Sequence, residues 1–216
     1  MKNIKLVIFD MDGLMFDTER LAVDSWVSIG KERGFDIKKE YILETIGLND
    51  LDSAVVLKKH MGQDFPYEKI NEYWHTHLAN LLEQGKVPEK QGLKELLDYI
   101  DEKGFKKAVA TSTARARAER LLSNAEVLHR FDTIICGDEI KNGKPEPEIF
   151  LTACSKLNIS PKDAIVLEDS EMGLLAASRA GIRCVLIPDL KQPSKENEAL
   201  AYAKVKSLLE VMDIKF

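Results

Sequence analysis

The sequence predicts an α/β fold: a doubly wound parallel sheet of Rossmann-like type with an inserted helical cap domain. Three observations lead there. Five short apolar runs, rich in Val, Ile and Ala, lack the clean alternation of strands that face water on one side. Helical stripes lie between them, the order that builds a parallel sheet with right-handed crossovers. One interval is far longer than a crossover needs.

The runs occupy residues 5–10 (KLVIFD), 107–111 (KAVAT), 133–137 (TIICG), 164–168 (AIVLE) and 184–188 (CVLIP). Leu93, Leu96, Leu97 and Ile100 form one helical stripe, and Gly104 stands where that helix should stop. Ile149, Phe150, Ala153, Cys154 and Leu157 form a second. Leu174, Leu175 and Ala177 form a third, ahead of Gly181. The long interval runs from Asp10 to Lys106, whereas a strand–helix–strand unit takes only about 30 residues. Helical pattern fills the excess: Leu21, Trp26 and Ile29 ahead of Gly34, then Val55, Val56 and Leu57, then Ile70, Tyr73, Trp74, Leu78, Leu81 and Leu82. Residues 17–85 are therefore expected to form the cap, and residues 1–16 with 86–216 the α/β core. The chain leaves at the carboxyl end of a strand, the edge where such sheets bind ligands. It returns near Lys86-Val87-Pro88, so the insert is placed to act as a lid.

With 216 residues, 44% hydrophobic and 31% charged, a packed core with one insert is feasible and wholesale disorder is not expected. The 36 acidic residues exceed the 31 basic ones, for a net charge of -5. That balance argues against broad nucleic-acid binding. It leaves room for small anionic substrates, because a local metal or lysine reverses the field. Cys136, Cys154 and Cys184 are odd in number and far apart, so they form neither a disulfide framework nor a metal motif. They read as buried thiols of a reducing compartment. The apolar run at Leu6–Phe9 is too short for a signal-peptide core, and no stretch reaches transmembrane length. The expectation is a soluble cytoplasmic protein with no membrane partner; oligomeric state stays open.

Asp10-Met11-Asp12-Gly13 directly follows the first run. Two carboxylates so close repel each other unless a cation or proton intervenes. Read alone, the motif is also an ordinary Asp/Gly turn. Glu168-Asp169 follows another buried run, where Asp169 or Ser170 could equally cap a helix. Acids at two strand ends of one sheet would share a crevice. Carboxylate oxygens without His or thiolate suit a hard cation, Mg²⁺ before Zn²⁺. Thr111-Ser112-Thr113 closes the second run; its hydroxyls and free N–H groups suit an anion, or a plain cap. Lys144 lies in the loop 141–147 (KNGKPEP), whose prolines restrict its approach. Together these parts fit phosphoryl transfer to a carboxylate. A cation, Lys144 and the Thr111 turn would offset the repulsion between an aspartate nucleophile and a phosphate dianion. Asp12 would protonate the leaving alkoxide and then activate water.

Four motifs carry a resemblance: Asp10-Met11-Asp12-Gly13-Leu14 with Asp17-Thr18-Glu19; Val109-Ala110-Thr111-Ser112; Lys144-Pro145-Glu146-Pro147 with Phe150; and Leu167-Glu168-Asp169-Ser170 with Gly173. In this order and spacing they resemble the haloacid dehalogenase superfamily, in its β-phosphoglucomutase-like branch, over essentially the whole chain. The resemblance implies a phosphatase that works through an aspartyl phosphate on a small phosphorylated metabolite, a sugar phosphate above all. Asp10 would be the nucleophile and a Mg²⁺ ligand, and Asp12 the general acid/base, lending its carbonyl to the metal. Thr111 and the Ser112 N–H would bind the transferring phosphate. Lys144 would pair with phosphate and Asp10, while Glu168 and Asp169 would complete the metal site. An acid at position 12 argues against dehalogenase chemistry.

The departures lie in the cap. Where mutases of the branch resemble one another in a histidine, this chain has Ala22; where they carry an arginine for a second phosphate, the turn Gly47-Leu48-Asn49-Asp50 offers Asp50. An acid there repels a second phosphate, so a monophosphate phosphatase is favoured over the alternative, a phosphohexomutase. Arg20 or Arg33 could compensate. A reading from another class is a receiver-like phosphoacceptor module, against which Asp12 and the insert speak. Trp26, Tyr73 and Trp74 read as cap core, the lesser alternative being that one of them lines the substrate pocket. His60 reads as a surface or partly buried histidine. His75 and His77, two residues apart, point to different sides of a helix and make no metal pair. Arg115, Arg117 and Arg120 read as a solvated helix face without function.

Overall fold

The structure, a computed structural model, describes residues 4–46, 48, 50–84 and 87–214. In chain order its principal elements are β1 (Leu6–Phe9), α1 (Thr18–Glu32), α2 (Lys39–Leu43), α3 (Asp50–Met61), α4 (Tyr67–Glu83), α5 (Leu93–Glu102), β2 (Lys106–Thr111), α6 (Arg115–Asn124), β3 (Thr133–Cys136), α7 (Glu148–Lys156), β4 (Ala164–Glu168), α8 (Glu171–Arg179), β5 (Arg183–Leu186), α9 (Lys195–Glu198), β6 (Ala203–Lys204) and α10 (Leu208–Val211). The chain divides into two compact units, one of Met1–Asp17 with Pro88–Phe216, the other Thr18–Val87. Lys86, named above at the return crossing, lies outside the described residues.

The first unit is built on one sheet of order β3-β2-β1-β4-β5-β6, and every neighbouring pair runs parallel. Its strands do not alternate because both faces are covered. Leu6, Ile8, Ala108, Ala110, Ile135, Val166 and Leu186 pack with Phe150, Ala153, Leu174 and Ala177 of α7 and α8 in one core. The intervening Val7, Phe9, Val109, Ile165, Leu167 and Val185 are buried as well. α5 packs against β2 and α10, and it buries all four residues of its stripe. Burial of a Leu or Ile side chain stabilises the fold by roughly 2 kcal/mol each, so these stripes hold the helices in place. Gly104 and Gly181 follow the ends of α5 and α8 with positive φ. The sheet has a sixth strand that the sequence does not announce: β6 is two residues long, too short to show a pattern.

The two crossings between the units are themselves paired, within the first unit. Asp17 donates its N–H to the Pro88 carbonyl at 2.8 Å. Phe16 and Glu89 form an antiparallel bridge. The Lys90 ammonium lies 3.1 Å from Asp17 and 2.7 Å from Asp189.

The second unit is helical: α1 packs on α2 and α4, and α3 on α2 and α4. Trp26 is buried and stacks between Tyr67, 5.9 Å away, and Trp74, 5.2 Å away. The expectation of three core aromatics needs correction for the other two. Trp74 is half-buried in the wall of a cavity, and its Nε1 donates to Ser25 Oγ at 2.8 Å and to the Ala22 carbonyl at 3.1 Å. Tyr73, also half-buried, lies under the Arg33 guanidinium at 3.8 Å. Val55 points outward at 68% exposure. No helix among the described residues is long and apolar enough to cross a membrane.

Candidate active site

The register of the sheet assembles the site. Phe9 pairs with Val109 on one side and Leu167 on the other. The next residues, Asp10, Ala110 and Glu168, therefore sit level at the carboxyl edge of β1, β2 and β4. The Asp10 N–H continues the ladder, donating to the Leu167 carbonyl at 3.0 Å. Lys144 enters from the loop before α7 and joins all three strands through one ammonium. It donates to Asp10 Oδ1, to Glu168 Oε1 at 2.6 Å and to the Ala110 carbonyl at 3.1 Å. Asp10, Glu168, Asp169 and the Lys144 side chain are all buried.

Two glycines permit this crowding. Gly13 has φ +86°, and a Cβ there would lie 2.2 Å from Asp169 Oδ2. Both its backbone and the close carboxylate exclude a side chain. Gly173 stands in the first turn of α8, beneath the carboxylate of Glu168. A Cβ would lie 1.8 Å from Glu168 Oε1. Glu168 is held from the same turn: its Oε2 accepts from the Ser170 N–H at 3.0 Å and the Ser170 hydroxyl at 2.9 Å. Ser170 in turn caps α8, accepting from the Gly173 N–H at 3.1 Å. Gly173→Ala is expected to cost about 2 kcal/mol through overpacking, although alanine is the better helix former. Thermal denaturation checks this; an unchanged Tm would show that Glu168 moves aside freely.

Asp10, Glu168 and Asp169 each offer one oxygen, all within 4.8 Å of one another. Three carboxylates with no nitrogen or sulfur donor form a group that can hold a hard cation. Electrostatics point the same way. Burial pushes the Asp10 carboxyl from 3.8 up to about 8; Lys144 opposes the rise, and Glu168 and Asp12 add to it. Burial alone would lower the Lys144 ammonium, but Asp10 and Glu168 outweigh it and hold it protonated. Between 3.8 and about 8 the folded state holds a proton that the unfolded chain has lost. That stability is therefore full at low pH and declines as pH rises through this window. In chelator, the Asp10 contribution should fall by up to about 1.4 kcal/mol per pH unit. Asp10→Asn should flatten the slope of Tm against pH, and an identical slope in the variant would refute the assignment.

Asp12 sits two residues beyond Asp10, with its side chain 29% exposed. Its Oδ2 accepts from the Thr113 hydroxyl at 2.7 Å and faces the Thr111 hydroxyl at 3.5 Å. Thr111 is buried at the end of β2. Ser112, whose N–H is the expected phosphate donor, is exposed. The structure thus brings Asp10, Lys144, Glu168 and Asp169 into one cluster, with Asp12 and Thr111 beside it. Two further neighbours come from the fold. Thr113, in the sequence one member of a hydroxyl triplet, bonds Asp12. Arg117, expected on a solvated face, has its Nη2 3.6 Å from Asp12 Oδ1. Arg115 also departs from that expectation. It grips Glu139 at 2.6 and 2.8 Å and the Ile134 carbonyl at 2.7 Å, fastening α6 to the end of β3. No local signal separates Arg117 from its neighbouring arginines, and Thr113 lies ahead of α6, where helical spacing does not apply.

The haloacid dehalogenase-like hydrolase family matches residues 7–187. A Thermotoga maritima protein named phosphorylated carbohydrates phosphatase is 30% identical over 205 residues, covering 94% of each chain. The validoxylamine A 7'-phosphate phosphatase of Streptomyces hygroscopicus subsp. limoneus is 31% identical over 211 residues, 96% of this chain and 95% of that one. Among crystal structures, a Thermotoga maritima protein provisionally named a β-phosphoglucomutase matches at 29% identity and TM-score 0.81, covering 97% of both chains. The chain belongs to the haloacid dehalogenase-like hydrolase family, as a phosphoric monoester hydrolase of its β-phosphoglucomutase-like branch.

Proposed function

We propose that the protein is a Mg²⁺-dependent phosphatase that hydrolyses a small carbohydrate monophosphate through an aspartyl phosphate on Asp10. The observation that carries this reading is the buried cluster of Asp10, Glu168 and Asp169 around the Lys144 ammonium. Asp10, Glu168 and Asp169, with the Asp12 carbonyl, would hold Mg²⁺, which when bound supplies positive charge for the phosphoryl oxygens. An Asp10 carboxylate oxygen attacks phosphorus as the ester P–O bond breaks. Asp12 gives its proton to the departing alkoxide. Asp12 then takes a proton from water, whose oxygen attacks phosphorus and releases phosphate from Asp10. Lys144 offsets the charge of Asp10 and the phosphoryl group throughout, and Thr111 with the Ser112 N–H orients that group.

The second unit supports the substrate class. It contains a cavity of about 220 Å³ walled by Trp26 and Trp74, with Glu19, Thr45, Asp50 and Asn71 as polar lining. Its hydroxyl, amide and carboxylate groups beside an apolar wall suit an uncharged, hydroxyl-bearing group. Two carboxylates and no Arg or Lys among the described lining residues disfavour a phosphate. Ala22 and Asp50 both line it; Gly47 and Asn49 of the same turn lie outside the described residues. Neither Arg20 nor Arg33 is among the described lining residues. The buried free thiols Cys136, Cys154 and Cys184 support a reducing, cytoplasmic setting.

The test is phosphate release from a panel of sugar and other metabolite phosphates, with and without Mg²⁺. Formation of glucose 6-phosphate from glucose 1-phosphate is followed in parallel. Metal-dependent release supports the reading; isomerisation without release would replace it with a mutase. Asp12→Ala is expected to lower kcat for sugar phosphates about a hundred-fold or more, and less for aryl phosphates, whose leaving groups need no acid. Equal losses on both would count against the acid role.

A further inference from the structure

We propose that Thr113 and Arg117 are positioning residues for Asp12, setting the plane of its carboxyl group and which of its oxygens is anchored. This rests on the reading of Asp12 as the acid and base of the reaction. A carboxylate at a strand end has two equivalent oxygens and can turn about its own axis. Here the two oxygens differ. Oδ2 is engaged by the Thr113 hydroxyl at 2.7 Å, with Thr111 Oγ1 at 3.5 Å. Oδ1 is buried and accepts no hydrogen bond among the described residues, and Arg117 Nη2 stands 3.6 Å from it. Oδ2 is therefore the oxygen that anchors the group, and Oδ1 the one with hydrogen-bonding capacity to spare.

Thr113 is itself held at both ends of its peptide. Its N–H donates to Thr111 Oγ1 at 3.0 Å, and its carbonyl accepts from the Gly137 N–H at 3.1 Å. Gly137 can come so near because it has no side chain; a Cβ there would lie 2.1 Å from the Ser112 carbonyl oxygen. The hydroxyl is thus presented by rigid backbone between β2 and β3 rather than by a free loop. Asp12 is equally constrained, in the turn where Gly13 donates to the Phe16 carbonyl at 2.9 Å. Two fixed backbones and one short hydrogen bond set the carboxylate plane. Arg117, 45% exposed on the first turn of α6, draws Oδ1 toward that helix without occupying it at hydrogen-bond distance.

The experiment compares kcat and KM on p-nitrophenyl phosphate and on glucose 6-phosphate, or on the best sugar phosphate from the panel. The variants are Asp12→Ala, Thr113→Val, Thr113→Ser, Arg117→Ala and the double variant Asp12→Ala/Thr113→Val. Thr113→Val is expected to lower kcat on the sugar phosphate about ten-fold more than on the aryl ester, with KM changed by less than about two-fold. Thr113→Ser should restore most of the loss. The double variant should be no slower than Asp12→Ala, because Thr113 acts only through Asp12. Arg117→Ala should show the same bias at about three-fold. Equal losses on both substrates in Thr113→Val, or a further loss in the double variant, would make Thr113 merely structural and overturn the proposal. Faster turnover in Thr113→Val would overturn it too, by showing that the hydroxyl parks Asp12 away from its work. Absence of the bias in Arg117→Ala would remove that residue. If Asp12→Ala itself shows no substrate bias, the acid reading fails and this inference with it; a biased Asp12→Ala beside an unbiased Thr113→Val fails this inference alone.

Discussion

Asp10→Asn is expected to abolish phosphate release, by roughly ten-thousand-fold in kcat, while leaving the fold intact. The amide keeps the shape of the carboxylate but lacks the electron pair and charge needed to form an acyl phosphate. Its folding consequence has the opposite sign. Burial holds the Asp10 carboxyl well above its ordinary range, so the ionised group is a burden on the metal-free fold at neutral pH and above. The variant should therefore be at least as stable as the parent in chelator near pH 8. Phosphate assays and thermal denaturation on the same preparations check both halves. Full activity would end the nucleophile assignment, and a collapse of Tm at that pH would show that the charge on Asp10 supports the fold.

Lys144→Ala should do the reverse and lose stability as well as activity. One ammonium compensates two buried carboxylates and satisfies a strand carbonyl. Removing one member of a buried ionic group costs about 3–5 kcal/mol, because the remaining charges are left without a partner. For a chain of this length that corresponds to a fall in Tm of roughly 10 °C. A divalent cation should recover part of the stability, since it returns positive charge to the same oxygens, but little of the turnover. Lowering the pH should raise the variant's stability as well, because the folded state keeps a proton on Asp10 that the unfolded chain has lost. A variant as stable as the parent in chelator at pH 8 would refute this account of the cluster.

These two expectations come from residues that were plain in the sequence. Asp10 and Glu168 each end an uninterrupted apolar run, and a parallel register places such ends side by side. Lys144 announced itself through the prolines around it. The core helices were equally legible, because stripes such as Leu93, Leu96, Leu97 and Ile100 repeat at helical spacing. What escaped depends on contacts between segments distant in the chain. Arg117 is one of three alternating arginines on α6, and nothing local distinguishes the one near Asp12. Gly173 is marked only as part of a motif, and the reason for it, the Glu168 carboxylate against its Cα, comes from the fold. Trp74 has the spacing of a core residue and stands instead in a cavity wall. β6 has too few residues to carry any period at all.

The paired crossings have a consequence for how such a protein can change. Asp17 and Pro88 meet at 2.8 Å, and Phe16 bridges Glu89. Seventy intervening residues, Thr18–Val87, hang from a doorway whose two jambs already touch. A connection of two or three residues would close the same gap. Because the entropy of closing a loop grows only with the logarithm of its length, a large insertion there burdens the parent sheet little more than a small one. Evolution could thus trade, enlarge or delete the whole attachment without disturbing the register of β1, β2 and β4.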